Sequence, residues 1–297
     1  MTNFSGLAAF PITPGSDVGR VDVPNLQALI KPLVDAGVDS IGLLGSTGSY
    51  AYLTREERRR ALKATLEVSG QTPILVGVGA LRTDEAVKLA QDAKAAGAAA
   101  GLLAPVSYAP LNDDEVFEHF VAVSRESRLP LCIYDNPTTT HFRFSPKLVG
   151  TLSREDGILA IKAPAPAASE ITENLATLRA AVTNNFSVGY SGDFHATQAL
   201  ISGADAWYSV LGGIMPEICV AIVRSCQRGY MQEALRLDRS LEPIWDLFRE
   251  FASLRVAYAI AQIRGVTRAQ PPRPVHPMPD NAMERLKEAL GVLIPAL

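Results

Sequence analysis

Two stretches decide how this chain is read: Pro130-Leu131-Cys132-Ile133-Tyr134-Asp135-Asn136-Pro137 and Ile158-Leu159-Ala160-Ile161-Lys162. Each is a short apolar run that ends in polar or charged residues. A run without apolar/polar alternation fits a strand covered on both faces. Between the two lies Ser145-Pro146, a helix cap followed by proline at the first helical position, so strand, helix and strand follow in order. Working outward, similar runs recur at Gly6–Pro11, Ser40–Leu44, Ile74–Val78, Ala99–Ala104, Phe186–Tyr190 and Ala206–Val210. Their spacing is mostly about 30 residues, the size of a βα unit. Eight strands alternating with helices predict a parallel sheet, and eight is the number that closes a (β/α)8 TIM barrel. A doubly wound open sheet is the alternative with the same periodicity.

The intervening helices carry start and stop signals. Thr54-Arg55-Glu56-Glu57 has the form of a capping box, with Glu57 reaching back to the cap. Thr83 opens Asp84–Ala96, and Gly97 can take the left-handed position that ends it. Asn112 precedes Asp113–Val123, with Glu115 three residues on. After about residue 215 the strand signal stops. Glu217–Arg228, Met231–Glu250, Ser253–Arg264 and Asn281–Leu293 read as helices, with Pro243 placed to kink or split the second. The expected organisation is a catalytic barrel over 1–215 and a helical extension over 216–297, which completes the barrel surface and makes oligomer contacts.

Composition limits the function. The 297 residues are 47% hydrophobic and 20% charged, enough apolar material for a large core. A net charge of −3 offers no basic field for a phosphate backbone, so no nucleic-acid partner is expected. The apolar run Ala95–Val106 is too short to span a bilayer, and no membrane association is expected. The start Met1-Thr2-Asn3-Phe4-Ser5 has neither the cationic nor the apolar part of a signal peptide. Cys132, Cys219 and Cys226 are too few for a disulfide framework and point to a reducing compartment, the cytoplasm. Cys219 and Cys226 are expected in the core, Arg58-Arg59-Arg60 on a solvated helix face. No Cys/His cluster has zinc spacing, so neither metal nor cofactor is expected.

Chemistry concentrates at the strand ends. Lys162 closes an apolar run and would sit where barrel enzymes build their sites. Apolar neighbours strip hydration from an amine, which can then attack a carbonyl as a nucleophile; a strand-end lysine facing solvent is the bland alternative. Tyr134 ends the preceding strand, where a phenol beside an amine can shuttle protons, or simply pack on the rim. Gly42-Leu43-Leu44-Gly45-Ser46-Thr47-Gly48-Ser49 is a glycine-rich turn with hydroxyls, able to hold a small carboxylate on its amides or to serve as an ordinary strand-to-helix turn. No lysine follows its last glycine, so it is not a phosphate loop. Asp193 and His195 follow the seventh run, as a helix cap with a surface histidine or as substrate contacts.

Together these residues resemble the dihydrodipicolinate synthase/N-acetylneuraminate lyase family over almost the whole chain. The likeness rests on Gly45-Ser46-Thr47-Gly48, Tyr134-Asp135-Asn136-Pro137, Ile161-Lys162, Tyr190-Ser191-Gly192-Asp193 and Gly203-Ala204-Asp205. It implies a (β/α)8 barrel with a C-terminal helical extension, a homotetramer, and a Schiff base between the strand-six lysine and pyruvate or another 2-keto acid. Carried over, Lys162 is the Schiff-base lysine and Tyr134 the general acid/base, with Ser46 a proton relay. Thr47 with its amide, Gly48 and the Tyr208 carbonyl line the keto-acid pocket. Three positions depart from the synthases. Ser49 stands for a glutamate, and Ser107, followed by Tyr108, for the relay tyrosine. Thr139 stands for the arginine that binds the aldehyde substrate's carboxylate. Losing a charged fork disfavours an acidic acceptor, so Thr139, Ser107, Tyr108 and Asp193 are expected to contact a neutral or hydroxylated one. An aldol-type lyase other than the lysine-pathway enzyme is expected. A dehydratase or deaminase using the same lysine, and a barrel that merely binds a small acid, are the alternatives.

Overall fold

A computed structural model describes residues 4–293. Met1–Asn3, part of the segment read for a signal peptide, and Ile294–Leu297 of the extension lie outside the described residues. The eight strands are β1 (Gly6–Ala9), β2 (Ser40–Leu43), β3 (Ile74–Gly77), β4 (Ala100–Leu103), β5 (Leu131–Tyr134), β6 (Ile158–Pro164), β7 (Ser187–Ser191) and β8 (Ala206–Ser209). They form a closed barrel in sequence order, which excludes the open doubly wound sheet. The pairings from β3 to β8 are parallel, as is β1 with β2. Nearly every strand residue is buried, the state that a run without alternation encodes.

By its internal contacts the chain divides into two units. The first is Pro73–Tyr208 with the residues up to Gly6; the second is Leu7–Thr72 with Ser209 onward. In the first, β5, β6 and β7 run in register as Tyr134↔Lys162 and Lys162↔Gly189. The Asp205 carboxylate accepts from the Val188 amide at 2.7 Å and pairs with Arg179 at 2.6 Å. The second unit repeats the device: Asp39 accepts from the Leu7 amide at 2.7 Å, and Arg224 grips both its oxygens at 2.9 and 3.0 Å. A bidentate arginine fixes geometry as well as charge. In the same unit Tyr258 Oη donates to the Thr13 carbonyl at 3.2 Å.

Some local expectations hold and others need correction. Thr54 does accept from the Glu57 amide, but Glu57 does not reach back; its carboxylate accepts from the Val21 amide at 2.7 Å. Thr83 is the first residue of its helix rather than the cap, which falls at Arg82, and its hydroxyl pairs with His119 Nδ1 at 2.9 Å. Asn112 and Glu115 form the complete capping box, worth roughly 1 kcal/mol. Gly97 takes the left-handed conformation and Ser145 caps the Leu148 amide. Lys162 is not the end of β6, which runs on to Pro164. The helix read as Met231–Glu250 is two, Met231–Ser240 and Glu242–Phe251, with Pro243 in the first turn of the second, where its missing N–H costs nothing. Cys219 is core but Cys226 is only half-buried. Arg58 is not simply solvated: it donates to the Leu53 carbonyl and lies over the Tyr50 ring. Among the described residues no helix is long and apolar enough to cross a membrane.

Candidate active site

Within the first unit, the pattern of β5 places Cys132 and Tyr134 on one face, two residues apart. Register sets Lys162 of β6 opposite Tyr134. The Lys162 amine lies 3.9 Å from the centroid of the Tyr134 ring. Both side chains are buried, at 6% and 5% exposure, so amine and phenol meet away from bulk water. The amine faces the π surface of the ring, and the hydroxyl stands at the ring edge. Asn136 Nδ2 donates to Tyr134 Oη at 2.9 Å, and Thr138 Oγ1 donates to Asn136 Oδ1 at 2.8 Å. This chain of bonds fixes the phenol from the β5 turn.

Beside this pair, Tyr208 Oη and Cys132 Sγ sit 3.5 Å apart, both fully buried. Burial raises the Tyr208 phenol well above its ordinary pKa and pushes the Cys132 thiol up to about 12, so both stay neutral. Room for the Tyr208 ring comes from Gly189: a Cβ there would stand 2.6 Å from Tyr208 Cε2 and 2.7 Å from the Ala206 carbonyl. Asp135, next to Tyr134, donates its amide to the Lys162 carbonyl at 3.1 Å. Burial raises the Asp135 carboxyl to about 6; the Phe144 amide and the charges of Arg143 and Lys162 oppose that rise.

Other expected contacts in this unit are placed less centrally. Thr139 is exposed and its hydroxyl donates to the Asn136 carbonyl at 3.2 Å. Ser107 donates to the Ala109 carbonyl, while the Tyr108 side chain is 100% exposed. Asp193 is buried in the first turn of the helix Asp193–Ile201, and its Oδ1 accepts from Trp207 Nε1 at 2.7 Å; Gly192 is that helix's cap.

The glycine-rich turn belongs to the second unit. Leu44 and Ser49 both adopt left-handed backbone, at φ 57° and 56°, roughly 1–2 kcal/mol of strain each. Gly48 packs against the first of these: a Cβ would lie 2.8 Å from Leu44 N and Cα. Ser46 is exposed, whereas Thr47 and Gly48 are buried. Among the described residues the amides of Thr47 and Gly48 have no protein acceptor. Buried amides of that kind are completed by water or by a ligand's oxygens.

Asn136 and Asp135 were not singled out from sequence. Asn136-Pro137 reads as a turn signal, which hides an amide aimed back at the preceding tyrosine. The Tyr208 side chain was also missed, because its partner Cys132 is 76 residues away. Among the described residues no group of three or more His, Cys, Asp or Glu could hold a metal ion.

Comparison with known proteins bears on this geometry. The profile of the dihydrodipicolinate synthetase family matches residues 3–292. The 4-hydroxy-tetrahydrodipicolinate synthase of Methylococcus capsulatus is 31% identical over 253 residues, covering 84% of this chain and 86% of that protein. The one from Methanothrix thermoacetophila is 29% identical over 289 residues, covering 97% and 96%. The crystal structure of dihydrodipicolinate synthase from Agrobacterium tumefaciens superposes with a TM-score of 0.96 at 50% identity, covering 98% of this chain and 99% of that one.

Proposed function

The chain belongs to the dihydrodipicolinate synthetase family, lyases that act through a Schiff base, and from that we propose that Lys162 captures pyruvate or a related 2-keto acid. The observation that carries the assignment is the buried Lys162 amine 3.9 Å over the Tyr134 ring. The amine adds to the keto carbon. Tyr134 protonates the hydroxyl that leaves as water, and the resulting iminium draws electrons from the adjacent carbon. Ser46 relays protons. Thr47 and Gly48 bind the keto-acid carboxylate through the two amides without a protein acceptor, and the Tyr208 carbonyl lines the pocket. No cofactor is required, because the iminium is itself the electron sink. Residues 1–215 supply this machinery, and 216–297 the helical extension. The enzyme works in the cytoplasm, which suits its three free cysteines, and as a homo-oligomer, a tetramer on the family pattern.

Incubation with pyruvate and borohydride is the test. One reduced pyruvyl group per chain is expected, at Lys162, and none in Lys162→Ala. Labelling that survives in that variant, or maps to another lysine, removes the assignment.

The finer reading is an aldol-type lyase whose acceptor portion is neutral or hydroxylated rather than acidic. Thr139 supports it: an exposed hydroxyl bonded to its own turn, where the synthases have a charged fork. Thr139, Ser107, Tyr108 and Asp193 are the specificity positions. Hydrogen bonds to charged groups contribute about 1.5–3 kcal/mol, so a missing clamp is worth on the order of 10–100-fold in selectivity. Cleavage of a 2-keto-3-deoxy sugar acid is therefore expected to exceed condensation of pyruvate with aspartate semialdehyde in kcat/KM. A tenfold advantage for the semialdehyde refutes the role given to Thr139. If the sugar acid is consumed without pyruvate release, the reaction is dehydration at the same lysine.

A further inference from the structure

We propose that a cleft in the second unit, apart from the lysine chemistry, binds a small metabolite through its phosphate or carboxylate oxygens. The cleft, about 360 Å³, lies between the hairpin closed by the Gly15–Val21 bridge, the start of the helix Val23–Asp35, and Thr267–Ala269. That volume suits a small metabolite. All of these residues fall in the one unit.

Its lining is a set of donors. Thr267 is 5% exposed, and its oxygen already accepts from the Ala269 amide at 3.1 Å and from Asn25 Nδ2 at 3.4 Å. A hydroxyl has two lone pairs and one proton, so the proton of Thr267 is left for an acceptor in the cleft. Ser16 Oγ likewise accepts from the Arg20 amide at 3.2 Å and keeps its proton. Among the described residues the guanidinium groups of Arg20 and Arg268 have no hydrogen bond or ion pair. The carboxylate of the lining, Asp22, is committed elsewhere: Oδ1 accepts from the Asn25 amide at 3.2 Å and Oδ2 from Asn25 Nδ2 at 2.7 Å, capping the helix. Two hydroxyl protons and two planar cations with one satisfied carboxylate call for a group that only accepts and carries negative charge. Phosphate and carboxylate are the biological groups of that kind, and arginine forks match both.

The test is calorimetric titration of the full-length protein with inorganic phosphate in one arm and citrate in the other, repeated with Arg20→Gln/Arg268→Gln. At least one anion is expected to bind once per chain, more weakly as sodium chloride rises. Affinity should fall about tenfold or more in the double variant and less in Ser16→Ala. Tighter phosphate binding assigns a phosphate ester, tighter citrate binding a polycarboxylate. Both altered arginines are exposed, so the double variant should trap pyruvate at Lys162 as the parent does, which shows that it is folded. No binding of either anion up to about 10 mM, or unchanged affinity in the double variant, overturns the proposal.

Discussion

Asp135 carries an electrostatic burden that can be measured. Its folded pKa of about 6 lies above the ordinary 3.8, because burial penalises the charged form. Its Oδ1 has no hydrogen-bond partner. The folded state therefore keeps a proton that the unfolded chain releases. Between about pH 4 and pH 6 this group's contribution to stability falls as pH rises, and above pH 6 the full penalty stands, on the order of 3 kcal/mol. Asp135→Asn removes the charge and leaves an acceptor for the Phe144 amide. The variant is expected to melt higher than the parent at pH 7.5, with the difference vanishing towards pH 4. Thermal melts across that range check it; a variant that melts lower at pH 7.5 contradicts the burial account. Lys162 and Tyr134 were legible in the sequence because each closes an unbroken apolar run, although β6 itself continues past Lys162 to Pro164. Asp135 and Asn136 were hidden one and two residues on, since their roles depend on which way a turn folds back.

Elements were legible where their signals are local. The eight strands emerge from unbroken apolar runs because each is covered on both faces, and their limits differ by a residue or two where a run and its hydrogen bonding end differently. Asn112 with Glu115 was legible because both partners lie in one helical turn. Glu57 was misread because its true partner, Val21, is 36 residues away. At the turn after β2 the side chains read as polar, yet the backbone decides what the turn can do. Gly48→Ala would drive a methyl against Leu44 N and Cα, atoms that cannot rotate aside. Relief requires moving the Thr47 and Gly48 amides. If those amides hold the keto-acid carboxylate, borohydride trapping at sub-saturating pyruvate should fall about tenfold to 10²-fold. The far-ultraviolet dichroism should stay that of the parent. Trapping at the parental level would dissociate this turn from the keto acid.

At the scale of the whole molecule, length and alternation predicted the closed barrel, but nothing local showed that Leu7–Thr72 and the residues from Ser209 onward share one unit. The contacts that reveal it, Asp39 with Arg224 and Thr13 with Tyr258, span 185 and 245 residues. That interleaving sets an order on synthesis. Leu7–Thr72 leaves the ribosome before Pro73–Tyr208, and its companions from Ser209 onward leave after it. Pro73–Tyr208 is complete in between and is free to organise while the early segment waits. During that interval Leu7, Leu26, Ile30 and Ile41, all buried in the finished protein, lack part of their cover. Until the segment from Ser209 onward emerges, Leu7–Thr72 therefore stays open to premature association.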